Sequence, residues 1–173
     1  MQKKIAAIAT FFSLGLVPHA FAQFAVTGQF DITNGAQPVG AVTLDGQGNV
    51  FGMTPTEGTN SVGLIYEAPA GGTPVVLYSF GNDATVGDEP LAGLIRDAKG
   101  RFYGTASTGG ANNSGTVFRL TLGKNGATVD LLYGFQSQFG PDGGYPTCDL
   151  LFGPHGSVYG TTQRGGAGGG TVF

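Results

Sequence analysis

Charge, cysteine and long apolar runs are what this sequence is short of. Asp, Glu, Lys and Arg make up 11% of its 173 residues, and the 8 basic side chains are scattered among 11 acidic ones. An acidic chain without a basic stripe lacks the electrostatic footprint that phosphate backbones attract, so nucleic acid is a poor partner class. Cys148 is the single cysteine, which rules out an intrachain disulfide; beside Leu150 and Leu151 in a strand-like run, it is expected to be a small buried hydrophobe. No segment beyond residue 22 is apolar over the roughly 20 residues that a membrane-spanning helix needs. Helical periodicity with caps is missing too, and the 33 glycines would penalise any helix.

The N-terminus has a different character. Lys3 and Lys4 precede an apolar run from Ile5 to Val17, and Ala20 and Ala22 then give a small-x-small pattern. This is the grammar of a secretory signal peptide over residues 1–22, with the run too short to span a bilayer. Export to the periplasm, the cell surface or the medium is expected. Without its two lysines the chain keeps 6 basic against 11 acidic residues, a net charge near −5.

What is abundant is self-similarity. RFYGTASTGG at 101–110 returns as NVFGMTPTEG at 49–58 and SVYGTTQRGG at 157–166, spacings of 52 and 56 residues. GTVFRL at 115–120 matches GLIYEA at 63–68 and GTVF at 170–173, and LLYGF at 131–135 matches VLYSF at 76–80. A repeated period of this size outweighs local readings. The chain divides into an N-terminal strand and loop (23–38) and repeats at 39–90, 91–146 and 147–173, the last breaking off inside its third strand. That break predicts either a truncated piece of a longer chain, which we favour, or open β-edges completed by self-association.

Within a repeat, alternation predicts four strands. Strand a covers Val39–Leu44, Leu91–Arg96 and Cys148–Phe152; strand b is centred on VFGMT, FYGTA and VYGTT; strand c is GLIYEA, GTVFRL and GTVF; strand d is VVLYSF and VDLLYGF. FAVTGQFDIT at 24–33 reads as a stray strand d. The proline closing each lead-in loop (Pro38, Pro90, Pro146) should push its predecessor into an extended conformation. Gly52, Gly104 and Gly160 sit inside strand b, where a bulge or a closely approaching neighbour would explain them. Four short antiparallel strands in about 50 residues suit a β-propeller blade, with a β-solenoid as the alternative.

AGLIRDAKG, YGTASTGG, GTVFRL and LLYGF together resemble the GloVer-type tandem repeat of bacterial choice-of-anchor surface proteins. The first repeat departs at Met53, Pro55, Glu57, Ile65 and Tyr66. The resemblance implies an exported, propeller-like repeat protein, often attached through C-terminal sorting signals, with no established reaction or catalytic residues.

The residues alone offer little catalytic chemistry. Beyond residue 22 the single histidine is His155, in a turn between strands a and b. In an up-and-down sheet that turn lies opposite the b–c and d–a loops, roughly 17 Å away, so no Ser/His/Asp or His-metal site is expected. No cofactor and no metal are expected either: the acids of GNDATVGDEP lack the spacing of a calcium loop. The loop face itself is the candidate binding surface, carrying Asp83, Asp88, Glu89, Thr108, Asn112, Asn113, Asp142 and Arg164. The expected function is non-catalytic binding or scaffolding toward a glycan, peptide or cell-wall ligand. The alternative is a fragment of a propeller-type polysaccharide hydrolase or lyase. N-terminal sequencing of the exported protein is expected to begin at Gln23, and a sequence beginning at Met1 would refute the cleavage.

Overall fold

The computed structural model describes residues 28–173. The expected signal peptide and the first residues of the stray strand lie outside the described residues. Among those described, a single short 3-10 turn at Pro154–Gly156 interrupts an otherwise all-β chain. The first repeat forms β1 (Thr43–Leu44), β2 (Val50–Thr54), β3 (Leu64–Ala68) and β4 (Val75–Ser79); the second forms β5 (Ile95–Arg96), β6 (Phe102–Ala106), β7 (Thr116–Gly123) and β8 (Gly126–Gly134). Then come β9 (Gly144–Pro146), β10 (Leu151–Phe152), β11 (Val158–Tyr159), β12 (Thr161–Arg164) and β13 (Thr171–Val172).

The strands pair as two four-stranded meanders, β1-β2-β3-β4 and β5-β6-β7-β8, with smaller sheets β10-β11 and β13-β12-β9, none closed into a barrel. Every ladder among the described residues is antiparallel, which removes the parallel coils of a β-solenoid. β11 and β12 are one strand broken at Gly160, whose N–H and carbonyl still exchange bonds with Phe173 at 3.1 and 2.9 Å. Between β7 and β8 the hairpin runs on to a Gly123↔Gly126 pair, beyond the reach of its counterpart in the first repeat.

Three expectations need correcting. Strand a is two residues long in each repeat, and in the first two the stretch ahead of it lies against the neighbouring repeat instead of strand b: Cβ atoms built on Gly40 and Gly93 would collide with the backbones of Ala92 and Ala41. No strand forms over residues 28–33. There the Asp31 carboxylate takes the N–H groups of Thr33 and Asn34 at 2.8 and 3.0 Å, a local turn that competes with ladder bonding. The residues before the prolines are not extended: Gln37, Glu89 and Tyr145 have φ of 54°, 54° and 58°. Tertiary bonds hold two of them there: Glu89 and Tyr145 donate to the Val62 and Ser114 carbonyls in the b–c loop of their own repeat, both at 2.9 Å.

The core explains the strand-b glycines. Gly52 pairs directly with Tyr66, and Gly104 with Phe118. A Cβ on Gly104 would lie 2.8 Å from Phe118 Cζ and 2.9 Å from Leu94 Cδ2, and Gly160 is crowded in the same way by Phe173 and Leu150. The missing side chain lets the aromatic ring lie flat over strand b and reach the preceding repeat. There it meets a phenylalanine edge-on: Phe30–Tyr66 at 4.7 Å, Phe80–Phe118 at 5.4 Å and Phe135–Phe173 at 5.2 Å. Phe30 thus occupies the place of a strand-d phenylalanine although its segment forms no strand. Phe51, Met53, Ile65 and Phe80 of the first repeat close with Leu94, Phe102, Phe118 and Leu120 of the second into one buried cluster. Tyr103, Val117 and Phe135 repeat the arrangement against Leu150, Phe152, Val158 and Phe173.

Gly104→Ala is expected to lower unfolding free energy by about 1–3 kcal/mol through overpacking. Gly134→Ala, with nothing near its Cβ position, should be close to neutral. Chemical denaturation of the two variants checks the contrast.

Candidate functional site

The b–c and d–a loops meet at each junction between repeats, through the same backbone contact displaced by one period. Ala36 bridges Thr56, Asp88 bridges Thr108, and Gly144 pairs with Arg164. The expected binding residues fall at two such junctions, and several are tied into the junction itself. Asp88 and Thr108 exchange backbone bonds at 2.9 and 3.1 Å, and the Glu89 carbonyl accepts from Ser107 N–H and Oγ at 3.2 and 2.8 Å. Asp83 turns inward on its own loop, its carboxylate accepting Thr85 N–H and Oγ1 at 2.9 and 2.7 Å.

Asn112 and Asn113 are also structural. Asn112 Nδ2 donates to the Phe135 carbonyl at 3.4 Å, as Asn60 does to Phe80 at 3.0 Å, so this position fastens the end of strand d. Asn113, at φ 50°, accepts Gly109 N–H at 2.9 Å and shapes its loop. At the second junction the Asp142 carboxylate accepts Tyr133 Oη at 3.0 Å and Gln136 N–H at 2.8 Å, while its carbonyl accepts Thr171 Oγ1 at 3.1 Å. Arg164 stacks over the Tyr145 ring at 4.1 Å and donates to Gln138 Oε1. Asp142, Asn112 and Arg164 are therefore brought together around the 135–146 loop, whereas Asp83, Asp88, Glu89 and Thr108 belong to the earlier junction.

A family model described as the Gloeobacter/Verrucomicrobia repeat matches residues 9–173. The chain belongs to the Gloeobacter/Verrucomicrobia repeat family. A search of curated proteins finds no match.

Two side chains of the Gloeobacter/Verrucomicrobia repeat chain that the sequence reading passed over stand out in the second junction. Phe139 is 80% exposed at the tip of the 135–146 loop, and Tyr145 carries the Arg164 guanidinium. An apolar ring in QSQFGPDGG, a stretch otherwise polar, was the available signal. Among the described residues no three His, Cys, Asp or Glu side chains gather where they could share a metal ion, and no helix is long and apolar enough to cross a membrane. Cys148 is half-buried rather than buried, its Sγ accepting Thr161 N–H at 2.9 Å in place of a ladder bond.

Electrostatics separates the acids by role. Burial pushes the Asp88 carboxyl up, and one of its oxygens is enclosed without a protein partner. Asp83 is held below the usual range by the Thr85 hydroxyl and N–H. On the opposite edge, partial desolvation opposes ionisation of Asp97. The Arg101 backbone and side chain, Tyr103 Oη and Lys99 N–H outweigh it and hold the carboxyl at about 2. His155 lies on that same edge, at φ 58° in the 3-10 turn that replaces the aspartate turn in the third repeat.

A carboxylate depressed in the folded state stabilises above its unfolded value of about 3.9 and loses that contribution as pH falls toward the folded value. Thermal melts of the parent chain should therefore drop between about pH 4 and about pH 2. Asp97→Asn should melt lower at neutral pH and flatten that limb. Asp88 has the opposite sign, so Asp88→Asn should keep or raise the neutral-pH melting temperature.

Proposed function

We propose that the protein is an exported, non-catalytic repeat scaffold whose sheets are successive blades of a β-propeller and whose loop face binds a glycan-bearing ligand such as a cell-wall polysaccharide. Support for blades comes from the inner strands. Gly40 and Ala41 lie tightly against Ala92 and Gly93, Thr43 Oγ1 donates to the Leu94 carbonyl, and Gly93 N–H donates to Asp149 at 2.5 Å, as strands a would around a common axis. Support for scaffolding comes from the loop acids and amides, most of which hold repeats in register.

The observation that carries the ligand class is the exposed Phe139 beside Gln136, Gln138 and the Arg164–Tyr145 stack. A sugar ring offers an apolar C–H face to an aromatic ring and a rim of hydroxyls to amides and guanidinium, and this loop supplies both kinds of surface. Its carboxylate, Asp142, is already engaged by Tyr133 and Gln136. That leaves the exposed Gln136 and Arg164 as the polar rim of the loop.

Affinity electrophoresis through gels containing neutral soluble polysaccharides tests the reading. At least one polysaccharide should retard the protein, with Phe139→Ala and Arg164→Ala each weakening retention by about tenfold or more, a typical effect for an interface anchor. Unchanged melting of these exposed-site variants would assign the loss to the surface. Absence of retardation, or full retention by Phe139→Ala, would overturn the glycan reading.

A further inference from the structure

The second junction departs from the repeat in three places at once. Arg164 stands where the earlier repeats have Thr56 and Thr108, and Tyr145 where the earlier lead-ins have Gln37 and Glu89. The 135–146 loop is also one residue longer than its counterpart at 80–90. The fold brings these departures together: Arg164 stacks over Tyr145 at 4.1 Å and donates to Gln138, the neighbour of Phe139. The counterpart tip at 82–85 is exposed although a complete repeat follows it, so a tip of this kind stays open when its junction is built.

Hydrogen-bonding capacity around Phe139 is one-sided. A guanidinium can only donate, so the Gln138 atom facing Arg164 is Oε1, and Gln138 Nε2 remains a donor. The Arg164 Nε and Nη2 have no protein acceptor among the described residues. Ser137 Oγ accepts Phe139 N–H at 3.2 Å, which leaves its hydroxyl hydrogen to donate. The side-chain acceptors are engaged instead: Asp142 Oδ2 takes Tyr133 Oη and Gln136 N–H, its Oδ1 is enclosed, and Gln136 Oε1 takes Asn112 Nδ2 at 3.5 Å. Resting on the glycan reading, we propose that this loop selects N-acetylated sugars through the acetamide at C2. A sugar hydroxyl brings its own hydrogen, which a rim of donors leaves unpaired, whereas an acetamide carbonyl only accepts. The acetamide methyl adds apolar surface for the Phe139 ring to cover. A uronate carboxylate is also a pure acceptor, but an acidic polymer is repelled by a chain with 11 acidic against 8 basic residues. The acetamide supplies the acceptor without the charge.

The test compares sugars that differ only at C2, displayed on polyacrylamide and read by biolayer interferometry: N-acetylglucosamine against glucose, and N-acetylgalactosamine against galactose, with glucuronate as the acidic comparison. At least one N-acetylated polymer should bind about tenfold or more tightly than its hydroxyl counterpart. Gln138→Glu keeps an acceptor for Arg164 while replacing the free donor with an acceptor, so it should cut that ratio by about tenfold and leave binding of the hydroxyl sugar in place. Equal binding within both pairs, tighter binding of glucuronate, or a ratio unchanged in Gln138→Glu overturns the acetamide inference and leaves the glycan reading standing. Binding to none of the polymers also overturns the inference; the glycan reading falls with it only if the neutral polysaccharides fail to retard the protein as well.

Discussion

One packing contact organises the molecule: a strand-b glycine under the aromatic ring of strand c, with that ring set edge-on against a phenylalanine of the preceding repeat. Without the glycine the ring could not lie close to its own sheet, and without the ring the phenylalanine would lack a partner. Edge-to-face pairs of this kind contribute about 0.5–1.5 kcal/mol beyond their buried area. The larger contribution is geometric. Each ring belongs to two repeats at once, so no repeat completes its core alone, and stability becomes a sum over neighbours.

The loops apply the same constraint in polar form. The bridges at Asp88↔Thr108 and Gly144↔Arg164 link the end of one repeat to the far end of strand b in the next, and Ala36↔Thr56 does the same for the segment ahead of the first repeat. The N–H groups of Glu89 and Tyr145 then bond to the b–c loop of their own repeat. A left-handed residue before proline is costly by local preference. It recurs at Gln37, Glu89 and Tyr145, and at the last two the bonds it permits tie the end of a repeat to that repeat's b–c loop.

Strand b was legible residue by residue at 50–54 and 102–106, since aromatic and β-branched residues around a glycine, recurring at the repeat spacing, have few other readings. The order of pairing and the crowding of Gly52, Gly104 and Gly160 also followed from the repeat. Strand a was not legible, because its apolar pattern is the same whether it pairs with strand b or packs on the next repeat. Glu57 shows the opposite case: its sequence breaks the glycine pair, yet at φ 67° it keeps the backbone that Gly109 has at 69°. In the candidate site, composition identified which loops meet but not what their polar groups do. Asn112 looks the same in sequence whether it awaits a ligand or fastens the Phe135 carbonyl, and only its agreement with Asn60 decides between them.

The long hairpin between β7 and β8 has a practical side. Its tip from Gly123 to Gly126 stands clear of both junctions, Lys124 and Asn125 are exposed, and nothing approaches the Cβ position of Gly126. It joins adjacent strands that pair without a break in register from Phe118↔Leu131 to Gly123↔Gly126. Foreign sequence spliced in at this tip, such as an epitope or a fluorescent label, would hang outside the repeat lattice and leave every shared ring untouched.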